Sequence, residues 1–188
     1  MGNDYYTSPV EFLVTTLGGL YIAAVMLRFL FQLVRADFYN PISQFLVKIT
    51  SPLLVPLRRV IPGFGGIDVA SIVLMLLLQM LVFALVVVLR GATPTPLFLL
   101  GLAVVELLQV AVNIFFWAII LQAILSWVQP GQHNPGTILL HQLTAPLLNP
   151  ARRLLPPISG LDLSPILVVI GLKLLEMILL PPLQRLLM

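Results

Sequence analysis

The chain has 188 residues, 60% of them hydrophobic and only 9% charged, with a mean hydropathy of +1.08. A soluble domain carries roughly 25% charged residues, so this composition excludes a globule covered by polar surface and points to a membrane protein. The net charge of +3 rests on ten scattered Lys and Arg, too few for a nucleic-acid stripe, and with no cysteine the chain has no disulfide, thiolate metal site or thiol nucleophile.

The N-terminal stretch MGNDYYTSPVEF holds Asp4 and Glu11 and no Lys or Arg. It lacks the basic region of a cleavable signal, so the first apolar segment, residues 10–34, is expected to remain as a membrane helix. Arg28 lies near its far end, where a long side chain can snorkel. A polar connection follows. Within residues 40–62, Ile42, Phe45, Leu46, Ile49 and Leu53 recur at helical spacing, with Ser43, Gln44, Lys48 and Thr50 between them. That pattern predicts an amphipathic helix, too short and too polar to cross and therefore expected to lie in the interface. Pro52 and Pro56 interrupt it. Ser51 is placed to cap a restarted helix with Pro52 in its first turn, and a kink at Pro56 would complete a bent surface-lying or shallowly re-entrant hairpin.

The second span, residues 69–89, is polar only at Ser71 and Gln79. Its rise of about 31 Å matches a bilayer core. The breaker-rich loop RGATPTP leads to a third span, residues 97–128, long enough to tilt or to extend beyond the membrane. The second connection, residues 136–157, carries Ile138, Leu139, Gln142 and Leu143 in a less clean helical pattern, with Pro146 and Pro150 as its breakers. The fourth span, residues 161–180, is interrupted by Lys173 and Glu176 and is expected to stop at Pro181-Pro182.

These elements come in two sets. Residues 40–74 and 134–168 match without a gap at an offset of 94 (134 − 40), with 14 of 35 positions identical. The expected fold is an all-α membrane protein of four transmembrane helices, built from two tandem repeats, residues 1–93 and 94–188, each with a proline-kinked amphipathic hairpin. Two spans per repeat return the chain to its starting side, so the repeats are parallel rather than inverted. The connections hold Arg35, Lys48, Arg58, Arg59, Arg152 and Arg153, whereas the termini and central loop hold Arg90 and Arg185. That imbalance places the connections in the cytoplasm and both termini outside.

The pattern T-x-P-L-L-x-P-x-R-R-x-x-P-x-x-x-G-x-D runs from Thr50 to Asp68 and again from Thr144 to Asp162. In it the chain resembles the YggT (also YlmG) family of small membrane proteins, as two tandem copies over nearly its whole length. The resemblance implies two membrane helices per unit and a bacterial inner-membrane location. It also implies links to cell division and septum-associated gene clusters, nucleoid distribution, haem attachment to a plastid cytochrome, and osmotic or potassium tolerance. It brings no biochemical activity with it.

The arginine pairs Arg58-Arg59 and Arg152-Arg153 are the candidate binding residues. They either fix topology or dock a protein partner or anionic lipid headgroups, since guanidinium forks bind phosphate bidentately. Four such residues near an anionic surface contribute roughly 4 kcal/mol, enough to hold the connections on the leaflet. Asp68 and Asp162 open the second and fourth spans, where a carboxylate caps the helix or pairs with the neighbouring arginines. Glu106, Gln109 and Asn113 form a stripe at i, i+3 and i+7 inside the third span, and Lys173 and Glu176 share a face of the fourth. A Glu106–Lys173 pair is geometrically accessible. Such residues act as interhelical glue or line an ion path. Glue is favoured, because at the 94 offset Glu106 meets Phe12 and Lys173 meets Gln79. His133 and His141 stand without supporting carboxylates and make no metal site, and no catalytic constellation is present. The expected function is a non-enzymatic scaffold or assembly factor at the cytoplasmic leaflet, needing no cofactor. Its partners would be the bilayer, anionic headgroups, a protein and a second copy of the chain, with no nucleic acid. The rival expectation is ion transport.

Overall fold

A computed structural model describes residues 3–128, 134–154 and 162–187. Six helices follow one another: α1 (Asn3–Leu33), α2 (Pro41–Val60), α3 (Val69–Leu89), α4 (Pro96–Val128), α5 (Pro135–Leu154) and α6 (Ser164–Leu187). Among the described residues, four stretches are long and apolar enough to cross a bilayer: Pro9–Leu33, Val69–Leu89, Pro96–Ser126 and Ser164–Arg185. The second span coincides with the stretch read from the sequence. The fourth does not stop where expected, because α6 runs through Pro181 and Pro182 to Leu187. A proline forfeits its own helical hydrogen bond, but its fixed φ suits a helix, and two losses near a terminus leave the earlier turns intact.

The spans pack as two similar pairs. α1 lies on α3 and α4 lies on α6, while α3 and α4 join the pairs. α2 rests on α1 and α3, and α5 rests on α4 and α6. Ile22, Val25, Met26 and Leu30 give α1 one buried stripe, which meets Leu54 of α2, Ala70, Leu74 and Met75 of α3, and Leu107 and Ala118 of α4. The remaining faces keep large apolar side chains outward, among them Phe12, Leu17, Leu77, Leu81, Met177 and Ile178, as helices solvated by lipid do.

Both surface helices lie at the same end of the bundle. The Gln142 side chain accepts from the Asp37 backbone N–H at 2.9 Å, and the Asn40 side chain donates to the Pro135 carbonyl at 2.8 Å. At the opposite end Arg90 pairs with Glu11, joining the end of α3 to the start of α1. Asn40 and Asn134 start the surface helices, accepting from Ile42 N–H at 3.0 Å and Thr137 N–H at 2.9 Å, each followed by a proline in the first turn.

The connections are single helices rather than hairpins. α2 continues through Pro52 and Pro56, and α5 through Pro146 and Pro150. Ser51 caps nothing: its hydroxyl donates back to the Val47 carbonyl at 2.5 Å within one continuous helix. All four prolines are exposed, so the hydrogen bonds they cannot make are missing from the outer side. Packing of the inner side holds each helix together. That inner side is Ser43, Leu46, Thr50 and Leu54 in α2, and Leu139, Leu143, Thr144, Leu148 and Ala151 in α5. Ile42, Phe45 and Leu53, read as part of the membrane-facing side, remain exposed on the flank. The apolar side is thus divided between bundle and surroundings. Residues 155–157 of the second connection and residue 161, the expected first residue of the fourth span, lie outside the described residues.

α1 and α3 come close together at Gly18, where a Cβ would stand 2.5 Å from Val82 Cγ2, whereas nothing lies within 4 Å of such an atom at Gly19. Small residues permit this kind of contact between membrane helices. Gly18→Ala is therefore expected to cost about 1–3 kcal/mol through overpacking, with Gly19→Ala neutral or slightly stabilising. Thermal denaturation of the purified variants in detergent checks the contrast.

Candidate functional site

Each surface helix ends in an arginine pair, and the two members of each pair do different things. Arg58 reaches forward to Asp68, with Nη2 at 2.5 Å from Oδ2 and Nε at 3.2 Å from the same oxygen. Arg152 Nε lies 2.9 Å from Asp162 Oδ2. Both pairs join residues ten positions apart, linking the end of a surface helix to the start of the next span. Arg59 and Arg153 face outward and have no partner among the described residues.

Asp68 stands at the N-cap position of α3, yet its carboxylate makes no bond to the helix N–H groups. It takes the Arg58 guanidinium and the Ser71 hydroxyl instead. Asp162 combines both roles, accepting from Ser164 N–H at 2.9 Å while pairing with Arg152. Burial raises the pKa of both carboxyls. Hydrogen bonds from Arg58 and Ser71 to Asp68, and from Ser164 and Arg152 to Asp162, outweigh it and leave each below the usual value of 3.8.

A second pair of contacts lies deeper. Arg28 of α1 donates through Nη1 to Thr50 Oγ1 at 2.6 Å, with Ser51 Oγ at 3.3 Å and the Val47 carbonyl at 3.4 Å. Thr50 is fully buried and passes its own proton to the Leu46 carbonyl at 2.6 Å. At the 94 offset Gln122 of α4 meets the equally buried Thr144, whose hydroxyl also lies 2.9 Å from the Leu140 carbonyl. Each surface helix is thus stitched to its preceding span by a buried threonine and to its following span by an arginine. Arg28 was read from the sequence only as a snorkelling residue, and its role as a stitch was missed.

The polar residues of the later spans do not assemble as one group. Lys173 pairs with Glu176 at 2.7 Å and lies 4.7 Å from the centre of the Phe116 ring. Glu106 is therefore not its partner. Phe116 is ten residues beyond Glu106 on α4, about 15 Å along the helix. Asn113 borders an apolar groove with Leu27, Phe31, Ile114 and Trp117. His141 is exposed, and His133 lies outside the described residues. Among the described residues no three His, Asp or Glu side chains group as a metal ion would require.

The stability consequence follows from the lowered carboxyl values. A carboxyl whose folded pKa is depressed stabilises the fold above its unfolded value and ceases to do so as pH falls through the folded value. Asp68→Asn is expected to cost roughly 2 kcal/mol at neutral pH. The gap from the parent should close as pH drops below the ordinary 3.8. Arg59→Gln should leave stability within about 0.5 kcal/mol. Denaturation midpoints across pH 3 to 8 check all three.

The profile of the CCB3/YggT family matches the chain twice, over residues 7–89 and 101–183. The two matches are offset by 94 (101 − 7), the same spacing that relates the arginine–aspartate pairs. A Pseudomonas aeruginosa protein described as uncharacterised is 50% identical over 169 residues, 89% of this chain and 86% of its own length. One of Vibrio alginolyticus, also described as uncharacterised, is 42% identical over 168 residues, 88% of this chain and 90% of its own. The Escherichia coli K12 protein described as uncharacterised protein YggT is 40% identical over 171 residues, 90% of this chain and 88% of its own. No solved structure matches. With two family matches that together cover most of its length, the chain belongs to the CCB3/YggT family.

Proposed function

We propose that the chain is a non-enzymatic scaffold or assembly factor of a bacterial inner membrane. Its two surface helices face the cytoplasm, lie against the leaflet and hold Arg59 and Arg153 out to anionic headgroups and to a protein partner. The observation that carries this reading is the division of labour within each arginine pair. Arg58 and Arg152 are spent on ion pairs, whereas Arg59 and Arg153 are exposed at matching positions of the two copies. Next to them stand the exposed apolar side chains of Val60 on α2 and Leu154 on α5, and Ile42, Phe45 and Leu53 are exposed farther back along α2. A helix end that presents cations and apolar groups together suits the boundary between headgroups and acyl chains.

The excess of basic residues on the surface-helix side supports the cytoplasmic orientation. Two exposed arginines contribute roughly 2 kcal/mol at an anionic surface, which biases position without choosing a partner. Partner choice falls to the shape of the exposed flank. Ion transport along Glu106, Gln109, Asn113 and Lys173 has less support, because Lys173 is neutralised by Glu176 and Asn113 borders an apolar groove.

Two measurements test the proposal. Arg59→Ala combined with Arg153→Ala should abolish the activity restored by the parent gene in a deletion strain, with the protein still accumulating, while Glu106→Gln retains it. The reverse pattern, together with robust ion flux in vesicles that Glu106→Gln alters, sinks the scaffold reading. For orientation, a reporter fused after Met188 should be active only outside the cytoplasm.

A further inference from the structure

A polar cavity lies between α1, α2 and the turn that leads into α3. It measures about 730 Å³ and is bordered by Arg28, Arg35 and Arg58 together with Asp68, Phe31 and Leu46. Pockets of that size hold small ligands. Three cations face one anion here, and Asp68 is already claimed by Arg58. Among the described residues neither Arg28 nor Arg35 has a carboxylate in hydrogen-bonding contact, and Arg28 only feels the Asp68 charge that Arg58 already holds. Among the described residues the hydrogen bonds of Arg28 all run through Nη1, which leaves its Nε and Nη2 donors to face the cleft. Arg58 engages through Nε and Nη2, leaving Nη1. Arg35 sits in the left-handed region at φ 55°, in the short link that follows α1. A half-buried guanidinium hydrogen-bonded to neutral acceptors, beside a second guanidinium, carries a desolvation and repulsion cost that a bound anion would offset.

The second copy lacks this arrangement. At the 94 offset Gln122 replaces Arg28 and Gln129 replaces Arg35. Gln122 keeps the threonine contact that Arg28 makes. The stitch to the surface helix therefore does not need a charge, and the charge at Arg28 answers to something else.

We propose that the Arg28–Arg35–Arg58 cleft of the first repeat is a binding site for one phosphate-bearing anion. The phosphate lies between the guanidinium forks, and any apolar portion runs along Phe31 and Leu46. Forked donors and uncompensated charge select phosphate over a zwitterion. This site is separate from the outward arginines, and either can fail without the other.

The test is native mass spectrometry of the full-length protein in detergent, titrated in parallel with phosphatidylglycerol, phosphatidylcholine, inorganic phosphate and glycerol 3-phosphate. One equivalent of an anionic phosphate probe is expected to bind in preference to phosphatidylcholine. Arg28→Gln and Arg35→Gln, which copy the second repeat, should each weaken it roughly tenfold. Arg185→Gln, which removes an exposed charge in the last turn of α6, should leave it unchanged. Preference for phosphatidylglycerol identifies the source as a lipid headgroup, and comparable binding of the soluble phosphates identifies a free phosphate compound. Binding of no probe above phosphatidylcholine overturns the proposal, as does parental affinity in either glutamine variant. Should Arg28→Gln fail to fold, the exposed Arg35→Gln decides alone.

Discussion

The arginine–aspartate pair at the end of each surface helix is the contact on which the arrangement of this protein depends. A short helix beside a membrane bundle has few ways to fix its angle. The preceding link is polar, and the following turn holds Gly65 and Gly66 at φ of 60° and 84°. The Arg58–Asp68 ion pair closes that turn across ten residues. It also serves two helix termini together, placing a cation at the negative end of the surface helix and a carboxylate at the positive start of the next span. The Asp68 side chain is only 5% exposed and the Arg58 side chain 37% exposed. A carboxylate so buried demands a partner, and its value lies in locking geometry more than in net stability.

Hydropathy made the spans legible, because a lipid-solvated helix must be apolar on nearly every face. Residues 69–89 follow from that rule alone. The surface helices were legible as helices but not in their orientation. An amphipathic pattern separates apolar from polar positions; it does not tell a bundle from a bilayer as the destination of the apolar side. Leu46 and Leu54 went to the bundle, while Ile42 and Phe45 stayed outside. The prolines misled for a different reason. Interior proline costs a helix about 3 kcal/mol, which would break an isolated segment. Here packing through Leu54 and Leu148, both fully buried, holds the turns on either side in one piece.

Arg28 was hidden because a lone cation near the end of a span reads as snorkelling. A signal was nevertheless present. Arg28 precedes Thr50 by 22 residues, and Gln122 precedes Thr144 by the same 22. Aligning the copies over their spans as well as over their shared motif would have exposed a polar position facing a motif threonine in both halves. The ion pairs were easier to find, since both partners lie within the repeated motif itself.

Duplication also separates what the fold requires from what one half has added. Contacts present in both copies are structural requirements of the unit: the asparagine cap, the buried threonine, the arginine–aspartate clasp. Features confined to one copy cannot be requirements of the unit, because the other copy folds without them. By that logic the Lys173–Glu176 pair belongs to the second half alone, since Gln79 stands where Lys173 would fall and is buried. The charge on Arg28 belongs to the first half alone. Two units of similar shape thus present different chemistry at the same depth, a polar but neutral stitch in one and a cationic cleft in the other. Both surface helices lie at the same end of the bundle, so that end carries two related but unequal surfaces.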